Sequence, residues 1–211
     1  MIKIEVNNQL YKTETKNRNI KDLLIDIEKE LIAQNEVISK LSIDGNEIEL
    51  SVFPEGILWN NFNNVKYISI QSIKQSTAAL NGLKEAIDIS EILPKELEDI
   101  TFALRMQTDK DIIDHLIYLI EKFIWLIRLI ETAAAPLYLD YSESQVANYP
   151  LSELEDFFTE FMDRIFHARE ENNDSKIADI IEMELIPITI ELRDLLPKLR
   201  EQGLNNLKQI N

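Results

Sequence analysis

Cysteine is absent from this chain of 211 residues, which removes disulfides, thiolate nucleophiles and cysteine-ligated zinc or iron–sulfur centres together. Glycine is scarce, with four in the whole sequence. No G-x-G-x-x-G, P-loop or G-x-S-x-G occurs, and little room is left for a loop whose backbone amides cradle phosphate. Positive charge is in deficit as well. Lys and Arg number 22 against 38 Asp and Glu, a net charge of −16 and a pI of about 4.6. Most of that excess lies late in the chain, where 14 basic residues face 27 acidic ones from Ile73 onward. Nucleic-acid binding draws most of its affinity from Lys and Arg neutralising phosphates, so neither DNA nor RNA is expected as a partner. Docking on anionic lipid is disfavoured for the same reason. The opening Met1-Ile2-Lys3-Ile4-Glu5-Val6 alternates like a strand and carries no basic segment followed by a long apolar one, so no secretory signal is visible and a cytoplasmic location is expected.

What the chain does have is helical periodicity, most clearly from Asp111 to Glu131. At roughly 100° per residue, Asp114, Glu121 and Arg128 fall together with Asp111 and Lys122 beside them. Ile112, Leu116, Leu119, Ile120, Phe123, Ile124, Leu126 and Ile127 cover the remaining arc. More than half the circumference is apolar, which several neighbouring helices are needed to cover, as in an antiparallel bundle. A membrane span is the rival reading, but charge recurs every two turns and the about 20 uninterrupted apolar residues of a span are lacking.

The first seventy residues read as strand, strand, helix, strand, strand, strand. Ile2, Ile4 and Val6 alternate with polar residues, Asn7-Asn8 supplies a turn, and Leu10 to Glu14 returns. Asn19 caps a helix with Asp22 in its first turn and Ile20, Leu23, Leu24, Ile27 and Leu31 on one face. Val37 to Ile43 and Glu47 to Val52 flank Asp44-Gly45, a dipeptide suited to a tight hairpin. Val65 to Ile70 makes the last strand. From Ser76 onward four helices are expected. The first runs to Met106 with Leu80, Leu83, Ile87, Leu93, Leu97, Ile100 and Leu104 inward, and Pro94 either kinks it or starts a new helix. Thr108 with Asp111 forms a capping-box-like start for the central helix, and Ser152 with Glu155 does so for the third, whose inward side holds Leu154, Phe157, Phe158, Phe161, Met162 and Ile165. The last starts near Asp174, bends at Pro187 and terminates at Gly203, with Ile177, Ile181, Ile188, Leu192, Leu195 and Leu199 in register.

The element order of the first third resembles the β-grasp, the ubiquitin-like fold in which a sheet wraps one helix. Members that carry sulfur or conjugate to targets end in a flexible Gly-Gly tail. Here the last strand runs straight into a helix, so that carrier role is not expected. The whole layout, with a Trp-bearing central helix before a final helix of the Ile180-Ile181-Glu182-Met183-Glu184-Leu185-Ile186-Pro187 type, is similar to uncharacterised bacterial proteins that join a ubiquitin-like head to a helical bundle. That similarity implies a fold and no activity. The expected architecture is therefore α+β, with a β-grasp-like domain over 1–72 and an antiparallel four-helix bundle over 73–211.

Candidate functional residues are few. Tyr118 and Trp125 fall about 40° and 20° from Asp114 on the helical wheel, among Asp111, Glu121 and Arg128 and away from Ile120 and Phe123. An aromatic pair with a charged rim is a candidate anchor for another chain, unless the head or the 133–150 link covers it. That link is long for a compact bundle and holds Tyr138, Tyr141 and Tyr149, which either pin it to the bundle end or join the anchor. The two histidines each follow an aspartate by one turn, Asp111 with His115 and Asp163 with His167, a spacing that allows a metal only if both pairs point inward. His167 shares its face with Asp156, Glu160 and Asp163, opposite Phe158 and Phe161, so it is expected to face solvent. Acidic runs such as Glu153-Leu154-Glu155-Asp156 read as solvated helix surface.

The resulting expectation is a non-catalytic, cytoplasmic interaction or adaptor protein without cofactor, self-associating through its helices and binding protein partners, including basic segments, through Tyr118, Trp125, Tyr138 and Tyr141. The competing expectation is a bundle metal binder or enzyme using Asp111, His115, Asp163 and His167. A third is that an open sheet edge of the head adds a partner strand.

Overall fold

The computed structural model describes residues 2–12, 19–48, 65–106, 111–141 and 144–210. The chain is mixed α+β, with an N-terminal mixed sheet followed by helices. It divides into two compact units, Met1–Ala78 and Ala79–Asn211. No described helix is long and apolar enough to cross a membrane.

In the first unit, β1 (Lys3–Val6) turns through Asn7 and Asn8, both at positive φ, into β2 (Gln9–Leu10). Asparagine tolerates this left-handed region better than other residues with a Cβ, because its short amide bonds to nearby backbone. Helix α1 (Ile20–Ala33) is capped by the Asn19 side chain, which accepts from the Asp22 amide at 2.8 Å. β3 (Glu36–Ile43) and β4 (Asn46–Ile48) meet at Asp44 and Gly45, both at positive φ, as the hairpin dipeptide requires. Asp44 also fixes the start of β5 (Tyr67–Lys74), its Oδ1 accepting from the Lys66 and Tyr67 amides at 2.9 and 2.8 Å. The sheet order is β2-β1-β5-β3-β4, with β1 parallel to β5 and the other pairs antiparallel. Alternation along these strands buries Ile4, Leu41, Ile43, Ile68 and Ile70 in one cluster with Ile20, Leu23, Leu24, Ile27 and Leu31 of α1. The last strand begins and ends later than the Val65–Ile70 expected, since β3 pairs with it as far as Lys74. Tyr11 and Lys12, expected in the second strand, lie past the end of β2, and the remainder of the expected second and fourth strands, 13–14 and 49–52, lies outside the described residues.

In the second unit, α2 (Gln75–Met106) continues through Pro94 without a break. Pro94 lacks the amide that would bond to the Ser90 carbonyl, yet both residues are buried in the core, and that packing holds the helix together across the lost bond. The central helix α3 (Ile112–Leu137) is longer than the 111–131 that periodicity defined. Its core residues include Ile112, Leu116, Leu119, Phe123, Leu126, Ile127 and Ile130, while Ile124 is only half-buried. The expected capping contribution of Thr108 lies outside the described residues.

Helix α3 ends at Tyr138, which sits in the left-handed region, and the Asn206 side-chain amide donates to the carbonyls of Leu137 and Tyr138 at 3.2 and 2.7 Å. Bonds of this kind satisfy carbonyls that a helix end leaves open. The 133–150 link is thus shorter than expected. It includes a small hairpin, β6 (Gln145–Val146) and β7 (Tyr149–Pro150), turning at Ala147 and Asn148 with positive φ. The Ala147 amide donates to the Glu191 carboxylate at 2.6 Å, and Val146 and Leu151 are buried in the core. A single 3-10 turn at Leu151–Glu153 leads into α4 (Leu154–Glu170).

The last helical stretch departs most from expectation. Helix α5 (Asp174–Ile180) passes into a π turn (Ile181–Leu185) and then α6 (Ile186–Ile210). In the π turn the Ile186 amide bonds to the carbonyl of Ile181, five residues back. The widened turn falls just before Pro187, whose missing amide leaves the Met183 carbonyl without its ordinary partner. Further along α6, Leu196 follows Leu192 into the core, and Leu195, expected there, is only half-buried against it. Gly203 does not terminate the helix. A Cβ there would lie 3.1 Å from Cβ and Cδ1 of Leu137, so glycine serves close approach of α6 to α3. Gly82 of α2 plays the same part against Leu129, at 2.8 Å.

Candidate functional site

Helix α3 presents Asp114, Tyr118, Glu121, Trp125 and Arg128 on its exposed side. Tyr118 is 53% and Trp125 40% exposed, large values for rings that each carry a broad apolar surface. The ammonium of Lys122 lies 4.5 Å from the centre of the Tyr118 ring, a cation–π contact that steadies the ring against the helix. The guanidinium of Arg128 donates through Nε to Oε1 of Glu155 at 2.9 Å, tying α3 to the first turn of α4.

Beside that ion pair, α3 and α4 leave a groove of about 370 Å³. Ile124, Phe158 and Met162 supply its apolar lining, and Arg128, Glu155, Thr159 and Asp163 its polar border. Phe158 is itself buried, packing its ring 4.7 Å from that of Phe123, so the groove floor is anchored in the core. The sequence reading placed Met162 among the inward residues, but it is half-buried at the groove. The reason is rotation. Each step of four residues advances about 40° around a helix, so the row Phe158, Met162, Phe166 climbs from the core to the surface, where Phe166 is 53% exposed. The sequence reading missed the groove; that off-phase apolar row, and Ile124 at the border of the α3 stripe, are the signals that could have found it.

The link tyrosines divide. Tyr149 rests its ring 4.8 Å from Phe157 and Tyr141 packs half-buried on the core, so these two hold the link to the helices. Tyr138 is 61% exposed at the end of α3, three turns or more from Trp125. The structure does not gather Tyr138 and Tyr141 with Tyr118 and Trp125 into one patch.

Nor are the histidine pairs assembled. Among the described residues no group of three or more His, Asp or Glu side chains stands close enough to hold a metal. His115 is exposed, and His167 lies in solvent with Nδ1 3.6 Å from Glu170, a residue the sequence reading had not paired with it. Two other carboxylates that the sequence left as surface charge are engaged across helices. Glu182 receives Arg105, which also reaches Asp179, and Glu184 receives Arg164. Both acceptors belong to the π turn, which places them toward arginines of two different helices. Glu182 first, and then Asp179, hold the Arg105 guanidinium above its usual pKa.

Comparison with curated proteins and with solved structures found no match to this chain. Two family models do match. Residues 2–74 match the TP0873 N-terminal domain, and residues 81–195, over half of the chain, match the domain of unknown function DUF8042. The first match covers the sheet unit almost end to end, the second the groove, the exposed aromatics and the π turn, and the chain belongs to the DUF8042 family.

Proposed function

We propose that this protein is a non-catalytic interaction module whose binding face is the exposed side of α3 together with the α3–α4 groove. One observation carries the reading: Tyr118 and Trp125 are exposed on a rigid helix beside an apolar groove whose floor is part of the core. Preformed aromatic anchors ringed by polar groups are what binding hot spots require, because little ordering is left to be done on association. Helix-in-groove recognition is the matching mode. The fold is read in the same terms. The strand order 2-1-5-3-4 with parallel central strands and a helix between the second and third strands supports a β-grasp-like head. The single core shared by α2, α3, α4 and the α5–α6 stretch supports a four-helix bundle.

The test is capture from the native cell with the full-length protein as bait, wild type beside Trp125→Ala, with mass spectrometry of what copurifies. A protein enriched by wild type and lost from the variant, while helical circular dichroism is unchanged, is the expected result. The mass of the purified bait across a concentration series reports self-association through the same face. Equal recoveries from both baits, with no change of mass, would overturn the assignment of this face.

A further inference from the structure

Resting on that reading, we infer that the occupant of the α3–α4 groove is a short amphipathic helix bearing Lys or Arg beside its apolar stripe. The length of the surface argues for a helix. The groove lining runs from Glu155 to Asp163 and the exposed Phe166 continues it, so the surface spans eleven residues along α4, about 16 Å or three turns, which accepts three apolar side chains spaced i, i+4 and i+7 on a partner helix.

The charge around the groove decides what flanks those side chains. Asp114 and Glu121 border the aromatics on α3, and Asp163 borders the groove on α4. Among the described residues none of these three carboxylates makes an ion pair or hydrogen bond, whereas both nearby cations are engaged, Arg128 by Glu155 and Lys122 over the Tyr118 ring. The groove border thus has Asp163 as its uncommitted charge, and the adjoining exposed side of α3 adds Asp114 and Glu121 of the same sign. A second copy of the chain docked by the same face would bring one carboxylate-bearing patch onto another, since a two-fold interface uses the same surface on both copies, and each copy carries −16. A basic partner instead gains attraction that steers encounter and fixes register, at a rim where like charge is penalised.

The experiment uses the full chain with Trp59→Phe, leaving Trp125 as the single tryptophan. Two synthetic peptides of about five helical turns share one leucine stripe and differ in flanks, lysine in one and glutamate in the other. A third carries the lysine composition in scrambled order. The lysine amphipath is expected to shift Trp125 emission and to bind at least about tenfold more tightly than the other two. Glu121→Lys with Asp163→Lys is expected to weaken it about tenfold and to bring the glutamate peptide up. Met162→Glu, at a half-buried position, is expected to abolish the shift with helical content retained.

Equal affinity for the lysine and glutamate peptides would overturn the proposal, as would binding of the scrambled peptide at full strength or indifference to both sets of variants. A concentration-dependent dimer lost on Trp125→Ala would overturn it in favour of a second copy. Trp125-dependent capture of a protein from the cell, together with no charge preference among the peptides, would leave the binding face standing and remove only the basic partner.

Discussion

The two units of this chain close their surfaces in opposite ways. In the sheet unit, alternation sends Ile4, Ile68, Ile70, Leu41 and Ile43 to the core, and the intervening positions are Lys3, Glu5, Tyr67, Ser69, Ser42 and Lys40. Three of these settle one another: Lys3 pairs with Glu5 at 2.6 Å, and the Tyr67 hydroxyl donates to Glu5 at 2.5 Å. In the helical unit the apolar arc of α3 is buried while its opposite side carries Tyr118 and Trp125 uncovered. A period of two divides a strand's residues cleanly between faces, whereas the 3.6 period lets an apolar row drift from core to surface, as it does from Phe158 to Phe166. Surface left apolar by that drift sits where the helices are otherwise fully packed, so it is available for function without cost to the fold.

The strongest way to probe this contrast is to empty the helical core. Phe161 is fully buried among Phe157 and Phe158, and Phe161→Ala is expected to destabilise the helical unit by about 3–5 kcal/mol, read from urea denaturation followed by helical circular dichroism. In the sheet unit a polar contact beside the apolar core is the matching probe. Asp44→Ala removes the acceptor for two amides at the start of β5, and a loss of about 1.5–3 kcal/mol is expected, together with faster amide exchange at Lys66 and Tyr67. A value near zero would mean that side-chain polar bonds do not organise that unit.

Steric fit between helices comes next. Gly203→Val places branched carbon where Leu137 already stands and is expected to cost about 1–3 kcal/mol, read from the same urea denaturation. Trp125→Ala, on the exposed side of α3, is expected to change the unfolding free energy from the same denaturation by no more than about 0.5 kcal/mol. A larger effect would move Trp125 from the binding face to the fold. Smallest is the acid response of the sheet surface. The Lys3 ammonium first, and then the Tyr67 hydroxyl, hold the Glu5 carboxyl below its usual value. The stabilisation from Glu5 is therefore present above the usual carboxylate pKa and is lost as pH falls through the lowered folded value. Glu5→Gln is expected to flatten the acid limb of the sheet unit's stability profile, measured by thermal denaturation across mildly acidic pH.

How much of this was legible in the sequence follows from the same physics. Asn19 as a cap, Asp44-Gly45 as a turn and the α1 core face depend on neighbours in sequence, and each stands where local chemistry put it. So does the exposed side of α3, because a helix of known phase needs no tertiary information to say which side opposes its apolar arc. What could not be read depends on contacts across the fold. Gly203 looked like a terminator because only Leu137, 66 positions earlier in the chain, reveals why a side chain is excluded there. Pro187 announced a bend but not the π turn before it, whose Glu182 and Glu184 meet Arg105 and Arg164 of other helices. The 133–150 link read as open because its anchors, Asn206 and Glu191, lie in the last helix.

The most direct measurement is acrylamide quenching of Trp125 in the Trp59→Phe protein, dilute and without partner. Ready quenching with water-like emission, lost when the lysine amphipath is added, is the expected result. Emission from an apolar environment that acrylamide cannot reach, with or without peptide, would place Trp125 in the interior and contradict the claim that α3 offers an uncovered aromatic face.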